Sequence, residues 1–348
     1  MTHKKSFNRR NFVKTAGIGA VGVTTAPFLI NTNKFHNMKQ LNAKKGKRIG
    51  IIGLDTSHSI AFAKSLNTED QDPELLGYKV TAAYPYGSKD IESSTSRIPG
   101  YTKDVKELGV EIVDSIDKLL DKTDVILLET NDGRRHLEQA LPVFEAGKRV
   151  FIDKPVAASL SDAIKIYEAA DKHGIPTFSA SSLRYIGGAK EIRNGAIGQV
   201  LGANTFSPAK LEKTHPDMYW YGIHGVETLF TVMGTGCQEV YRVHTDGTDV
   251  ITGVWQGGRI GVFRGIRDGK GGYGGMAFGE DGQKELGPYN GYVPLLKDVM
   301  KYFETGEVPV TPDETLEICA FMTAADESKK RSGMAVSIKE VMEKAAMK

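Results

Sequence analysis

From position 48 onward the chain alternates short apolar runs with helical segments, and this rhythm restricts the fold more than any other feature. RIGIIGL (48–54), YKVTAAY (78–84), VEIVDS (110–115), DVILLET (124–130), RVFIDKP (149–155) and PTFSASS (176–182) read as strands. SIAFAKSLN, SIDKLLDK, HLEQALPVFEAG and LSDAIKIYEAADKHG read as helices between them, with Gly147 as a stop. Nearly continuous apolar strands joined through helices imply a parallel, doubly wound α/β sheet over residues 47–183. The rhythm then changes. VLGANTFSP, CQEVYRVHT, DVITGVWQGG, RIGVFRGIR and GGMAFGEDG read as strands interrupted by one apolar helix, IHGVETLFTVMG, and the chain ends in helices. Residues 184–348 therefore read as a C-terminal α+β domain with an open, mostly antiparallel sheet.

Charge separates the leader from the body. Residues 1–48 hold eleven Lys and Arg and no acid, leaving 34 basic against 43 acidic side chains in the remainder. An acidic body argues against nucleic acid as a partner. NRRNFVKT, with Arg9 and Arg10 before Phe12 and Lys14, resembles a twin-arginine export signal, and the apolar stretch 16–30 is short for a membrane span. The expectation is an export leader over 1–30, cleaved or kept as an anchor, and an Asn- and Lys-rich linker over 31–46, giving a periplasmic or otherwise exported protein. Cys237 and Cys319 read as buried free thiols, with a bridge left open.

Ligands of doubly wound sheets bind outside the carboxyl ends of the strands. The first such turn, Gly53-Leu54-Asp55-Thr56-Ser57-His58, stands where a Rossmann-like dinucleotide turn carries G-x-G-x-x-G. Gly53 keeps the tight turn, but Asp55 and His58 replace the other two glycines. A carboxylate at that point repels phosphate at short range. It can instead cap the following helix, with Thr56 and Ser57 as further caps. His58 either reaches a phosphate or packs under the helix. At the end of the second strand Tyr84 replaces the acid that receives the adenosine ribose. Gly87, Ser88 and Lys89 follow, which leans the cofactor slightly toward NADP over NAD.

The strongest motif lies further on. Thr130, Asn131 and His136, then Gly147, Lys148 and Asp153-Lys154-Pro155, resemble the "TPN…H" and "GKHV…EKP" segments of the glucose–fructose oxidoreductase, inositol dehydrogenase and MocA-like family (Gfo/Idh/MocA). A residue before proline is held extended, which aims Lys154 into the crevice. YWYGIHGVETLF is similar to the family's substrate-lining helix. His224 falls on its histidine and Glu227, three residues on and on the same helix face, on its later carboxylate; Trp220 stands where the upstream Asp belongs. The resemblance implies that Lys154 binds and deprotonates a substrate hydroxyl. His224, oriented by Glu227, relays the proton, and Arg184 lies beside the crevice. It implies a cofactor site of Gly53 to His58, Tyr84, Thr130, Asn131, His136, Asp153, Lys154 and Arg184. Trp220 and Tyr221 supply a stacking platform for a sugar.

The implied activity is NAD(P)-dependent oxidation of a sugar, polyol or glycoside hydroxyl with a tightly held cofactor. A redox-neutral NAD-dependent glycoside hydrolase or lyase, and a carbohydrate-binding relative without catalysis, stand as alternatives. The family also implies homo-oligomers formed through the C-terminal sheet. No Cys/His cluster has zinc-ligand spacing, so no metal is expected, and no G-x-S-x-G motif is present.

Overall fold

A computed structural model describes residues 47–347, which belong to one compact unit. The expected leader and linker lie outside the described residues. Six parallel strands form the first sheet: β1 (Arg48–Ile52), β2 (Lys79–Tyr84), β3 (Glu111–Ile112), β4 (Val125–Leu128), β5 (Val150–Asp153) and β6 (Thr177–Ala180). Their order is β3-β2-β1-β4-β5-β6, which places the topological switch between β1 and β4. The helices are α1 (Ser57–Asn67), α2 (Glu92–Glu107), α3 (Ile116–Lys122), α4 (His136–Glu145) and α5 (Leu160–Lys172). Helix α2 has no counterpart in the sequence reading. It buries only Ser94 and Val105 and carries Pro99, so its apolar periodicity is weak. Strand β3 is shorter than expected, because it pairs on one side only, at the sheet edge.

The second sheet has seven strands: β7 (Val200–Pro208), β8 (Cys237–Thr245), β9 (Thr248–Trp255), β10 (Ile260–Ile266), β11 (Gly274–Gly279), β12 (Gly282–Leu286) and β13 (Val336–Ser337). Its order is β12-β11-β7-β10-β9-β8-β13; the pairings are antiparallel except β7 with β10. Strand β9 alternates buried and half-buried residues along its length, as a sheet with one covered face requires. After α6 (Ala189–Arg193), that face receives α7 (Ile223–Met233), which follows a π-turn at Met218–Gly222. Gly225 permits the approach, since a Cβ there would collide with the Phe263 ring.

The remaining helices are α8 (Val293–Thr305), α9 (Pro312–Lys330) and α10 (Ile338–Ala346). Helix α8 returns to the first sheet: Leu295, Leu296, Val299, Met300 and Phe303 share one core with Ile49, Ile51 and Phe62. The Tyr302 hydroxyl donates to the carbonyls of Val150 and Pro176. Cys237 and Cys319 are both buried free thiols. Among the described residues no helix is long and apolar enough to cross a membrane.

Candidate functional site

The carboxyl ends of β1, β4, β5 and β6 converge on one buried polar cluster. Thr56 caps α1, its hydroxyl accepting from the amides of His58 (3.0 Å) and Ser59 (3.4 Å). Asp55 therefore does not cap the helix, contrary to the sequence reading. It turns across the strand ends, fully buried, and accepts from the Asn131 amide at 2.9 Å and the Ser88 amide at 3.4 Å. Burial pushes the Asp55 carboxyl up, against these hydrogen bonds. Its side chain fills the space over Gly87, where a Cβ would overlap the carboxylate. Gly53 has φ +90°, and a Cβ on it would lie 2.6 Å from the Thr130 backbone, so glycine is required there. The β1–β2 ladder continues into the turn: Gly53 N donates to Tyr84 O (2.8 Å) and Leu54 N to Pro85 O (3.1 Å).

His58 neither reaches outward nor simply packs. Its Nδ1 lies 2.7 Å from Asp153 Oδ2, and Tyr292 sits on its ring at 4.8 Å. Burial raises the Asp153 carboxyl, but the charges of His58 and Lys154 outweigh it and hold the group below the usual range. Lys154 is buried beside it. From the facing side, His224 Nδ1 meets the Ser181 hydroxyl at 2.7 Å. Burial first, then the positive charges of Lys154 and His58, press the His224 imidazole well below its ordinary pKa. The imidazole is thus neutral near pH 7 and able to take a proton.

Several expected roles change. Glu227 does not orient His224. Its Oε1 accepts from Arg184 Nε at 2.9 Å, while Arg184 Nη2 binds Glu314 at 2.6 Å. All three side chains are buried, so Arg184 is held as a structural ion-pair centre rather than turned to the crevice. Burial raises Glu227 despite the Arg184 charge. His136 is also structural: its ring nitrogens face the carbonyls of Thr130 (2.7 Å) and Val156 (3.2 Å), tying two loops together. Trp220 packs on His215, 5.0 Å between ring centres, and His215 in turn faces Asp132 at 3.3 Å. Tyr221 does reach the site, 4.8 Å from the His224 ring, and pairs its hydroxyl with that of Tyr273 at 2.9 Å. Tyr84 is half-buried against Tyr86, and Ser57 is exposed at the start of α1.

Sequence reasoning missed Ser181, Glu129 and, apart from Tyr221, the aromatic cover. Tyr221, Tyr273, Tyr289 and Tyr292 form a continuous layer, with Tyr273 5.8 Å from Tyr289 and Tyr289 6.2 Å from Tyr292. They come from three stretches, at 221, 273 and 289–292, so no single local spacing reveals the layer. Tyr273 enters from the Gly-rich segment before β11, which pairs with β12 as a hairpin.

The architecture is that of a dinucleotide-binding crevice, and its two ends fit such a ligand differently. The end near β5 offers Lys154, Asp153 and His224. At the β1 turn the amides of Gly53, Leu54, His58, Ser59 and Asn131 already have acceptors, and a carboxylate occupies the approach. In this arrangement the turn does not fit a pyrophosphate, which needs free amides and no neighbouring negative charge.

Comparison with known proteins accounts for the architecture. Residues 47–180 match the Gfo/Idh/MocA oxidoreductase family, in its NAD-binding Rossmann fold. Inositol 2-dehydrogenase 3 of Saccharopolyspora erythraea is 29% identical over 149 residues, covering 40% of this chain and 42% of that protein. The chain spans less than half the length of the curated relatives it matches. Whole-chain likeness comes from solved structures. A probable dehydrogenase from Thermotoga maritima superposes with a TM-score of 0.68 at 20% identity, covering 84% of this chain and 99% of that one. Scyllo-inositol dehydrogenase from Lactobacillus casei, with bound NAD(H) and scyllo-inositol, gives 0.67 at 16% identity, covering 85% of this chain and all of that one. At such identities the likeness establishes the fold, including the C-terminal sheet.

Proposed function

We propose that this chain is an exported enzyme acting on a hydroxyl of a sugar or cyclic polyol, with the oxidoreductase chemistry of its family. The observation that carries this reading is the convergence of Lys154 and neutral His224 in one buried, tyrosine-covered site at the strand ends. The Lys154 ammonium is a donor that anchors a substrate oxygen. His224, held through Nδ1 by Ser181, takes the hydroxyl proton at its other ring nitrogen. The tyrosines exclude water and present ring faces to a carbohydrate. Inositol-like polyols are the first substrates to try, given the relatives above.

The family match points to NAD or NADP as cofactor. The missing acid at Tyr84 keeps the lean toward NADP, and Asp55 must leave the amides of Asn131 and Ser88 for either to bind. Pairing of copies through the open C-terminal sheet accompanies this reading. Export rests on Arg9 and Arg10, and a folded export route lets a tightly held cofactor travel with the protein. Replacing both arginines with lysine is expected to leave the protein in the cytoplasm on fractionation.

The deciding experiment is to purify the exported chain and look for a dinucleotide by absorbance and mass, then measure turnover of inositols and hexoses. A co-purified dinucleotide and turnover lost in Lys154→Ala support the proposal. Absence of any dinucleotide, with no thermal shift from added NAD or NADP, overturns it. Asp55 favours a second reading, a carbohydrate binder without dinucleotide chemistry. Sugar binding that persists when no dinucleotide binds is the result that selects it.

A further inference from the structure

Glu129 directly follows β4, at the strand's carboxyl end. It is fully buried, and neither carboxylate oxygen has a hydrogen-bond partner. Asp153 Oδ1 is unpartnered too, although its Oδ2 meets His58. One donor atom from each of His58, Glu129 and Asp153 lies within 4.8 Å of the other two. A buried carboxyl oxygen without a partner carries an uncompensated desolvation cost, so an orphaned carboxyl beside a half-satisfied one calls for a compensating group. Asp55 adds a third carboxyl that bears on Glu129, and Lys154 is the lysine acting on both Glu129 and Asp153. Lys154 and His58 face these carboxyls, and neither makes a hydrogen bond to Glu129.

We infer that His58, Glu129 and Asp153 form a binding site for a single divalent transition-metal cation, of the Zn²⁺ or Mn²⁺ class. One imidazole and two carboxylates suit these ions. Three ligands at about 2.0–2.2 Å from one centre stand about 3.3–3.8 Å apart in tetrahedral or trigonal geometry, so a pair at the 4.8 Å limit closes by about 1–1.5 Å. The cation displaces to solvent the proton between His58 Nδ1 and Asp153 Oδ2 and takes up the free oxygens of Glu129. Three protein ligands leave open coordination positions, and the neighbouring Lys154 marks where a substrate oxygen would approach them. The ion's use in turnover rests on the proposed action on a hydroxyl; its binding does not.

The experiment measures binding of the metal alone. The full chain, stripped with chelator and without substrate or dinucleotide, is titrated with ZnCl₂ and MnCl₂ by calorimetry, and Co²⁺ is added for its visible spectrum. The expected result is one equivalent per chain. Glu129→Gln, folded by circular dichroism, should weaken it by roughly 10- to 100-fold or more, and the Co²⁺ spectrum should show weak d–d bands without a thiolate charge-transfer band. Failure of the wild-type chain to bind any of the three ions overturns the site. So does one-equivalent binding unchanged in Glu129→Gln, or a thiolate band. Should Glu129→Gln not fold, the wild-type stoichiometry and Co²⁺ spectrum decide. None of these outcomes depends on activity, so failure of the metal site and failure of the hydroxyl chemistry are separately visible.

Discussion

Asp55 shows how one carboxylate redirects a turn. Glycine at that position leaves strand-end amides open to an anion; here the side chain supplies the anion itself, to Asn131 and Ser88. Asp55→Gly is expected to raise affinity for NAD(H) or NADP(H) by roughly tenfold or more, about 1.4 kcal/mol per decade; unchanged affinity by calorimetry would count against an obstructing role. Under the proposed function Lys154 anchors the substrate oxygen, so Lys154→Ala should lower kcat by about 10²–10⁴-fold. His224 carries a pH signature. Its folded-state pKa lies well below the unfolded value, because burial and the charges of Lys154 and His58 disfavour imidazolium. Its contribution to stability is therefore fully present above the unfolded pKa, near 6.5, and is lost as pH falls from there through the folded value. Urea midpoints taken from pH 7.5 down to 5 should fall less steeply in His224→Asn than in the wild-type chain.

Helix α7 is the element that joins the site to the second sheet. Every one of its residues is buried, and it lies against β7 and β10. Its carboxylate, Glu227, belongs with Arg184 and Glu314, an ion-pair centre that locks α7 to α9 and to the turn after β6. Arg184→Met leaves Glu227 without its guanidinium partner. The expected loss is about 3–5 kcal/mol of stability, read by denaturant titration. Residual folded protein should keep its affinity for substrate. Gly225→Ala tests the packing itself. The added methyl meets Phe263, which should cost about 1–3 kcal/mol and displace His224 enough to lower kcat as well.

At the scale of the whole molecule the two sheets are not independent. Helix α8 follows the second sheet's strands in sequence yet completes the first sheet's core, with Leu296 and Met300 fully buried there. Leu296→Ala should cost about 2–5 kcal/mol and lower the stability of the whole described unit in one cooperative transition. A separate early transition of the first sheet, in calorimetry, would show that α8 is dispensable to it.

The six-stranded parallel sheet and the strand-rich second half were legible in the sequence, as was the place of Lys154 at the end of β5. Strand periodicity, punctuation by Gly147 and Pro155, and the Asp153-Lys154-Pro155 motif are local signals that survive in one dimension. Helix α2 was not, because a mostly exposed helix has little apolar pattern to show. Tertiary structure alone decided which side chains share a partner. Arg184 took Glu227 away from His224, Ser181 took its place, and Glu129 was brought beside His58 and Asp153. Those pairings depend on how strand ends and helix faces meet in space, where a buried charge or polar atom selects its partner by distance rather than by position along the chain.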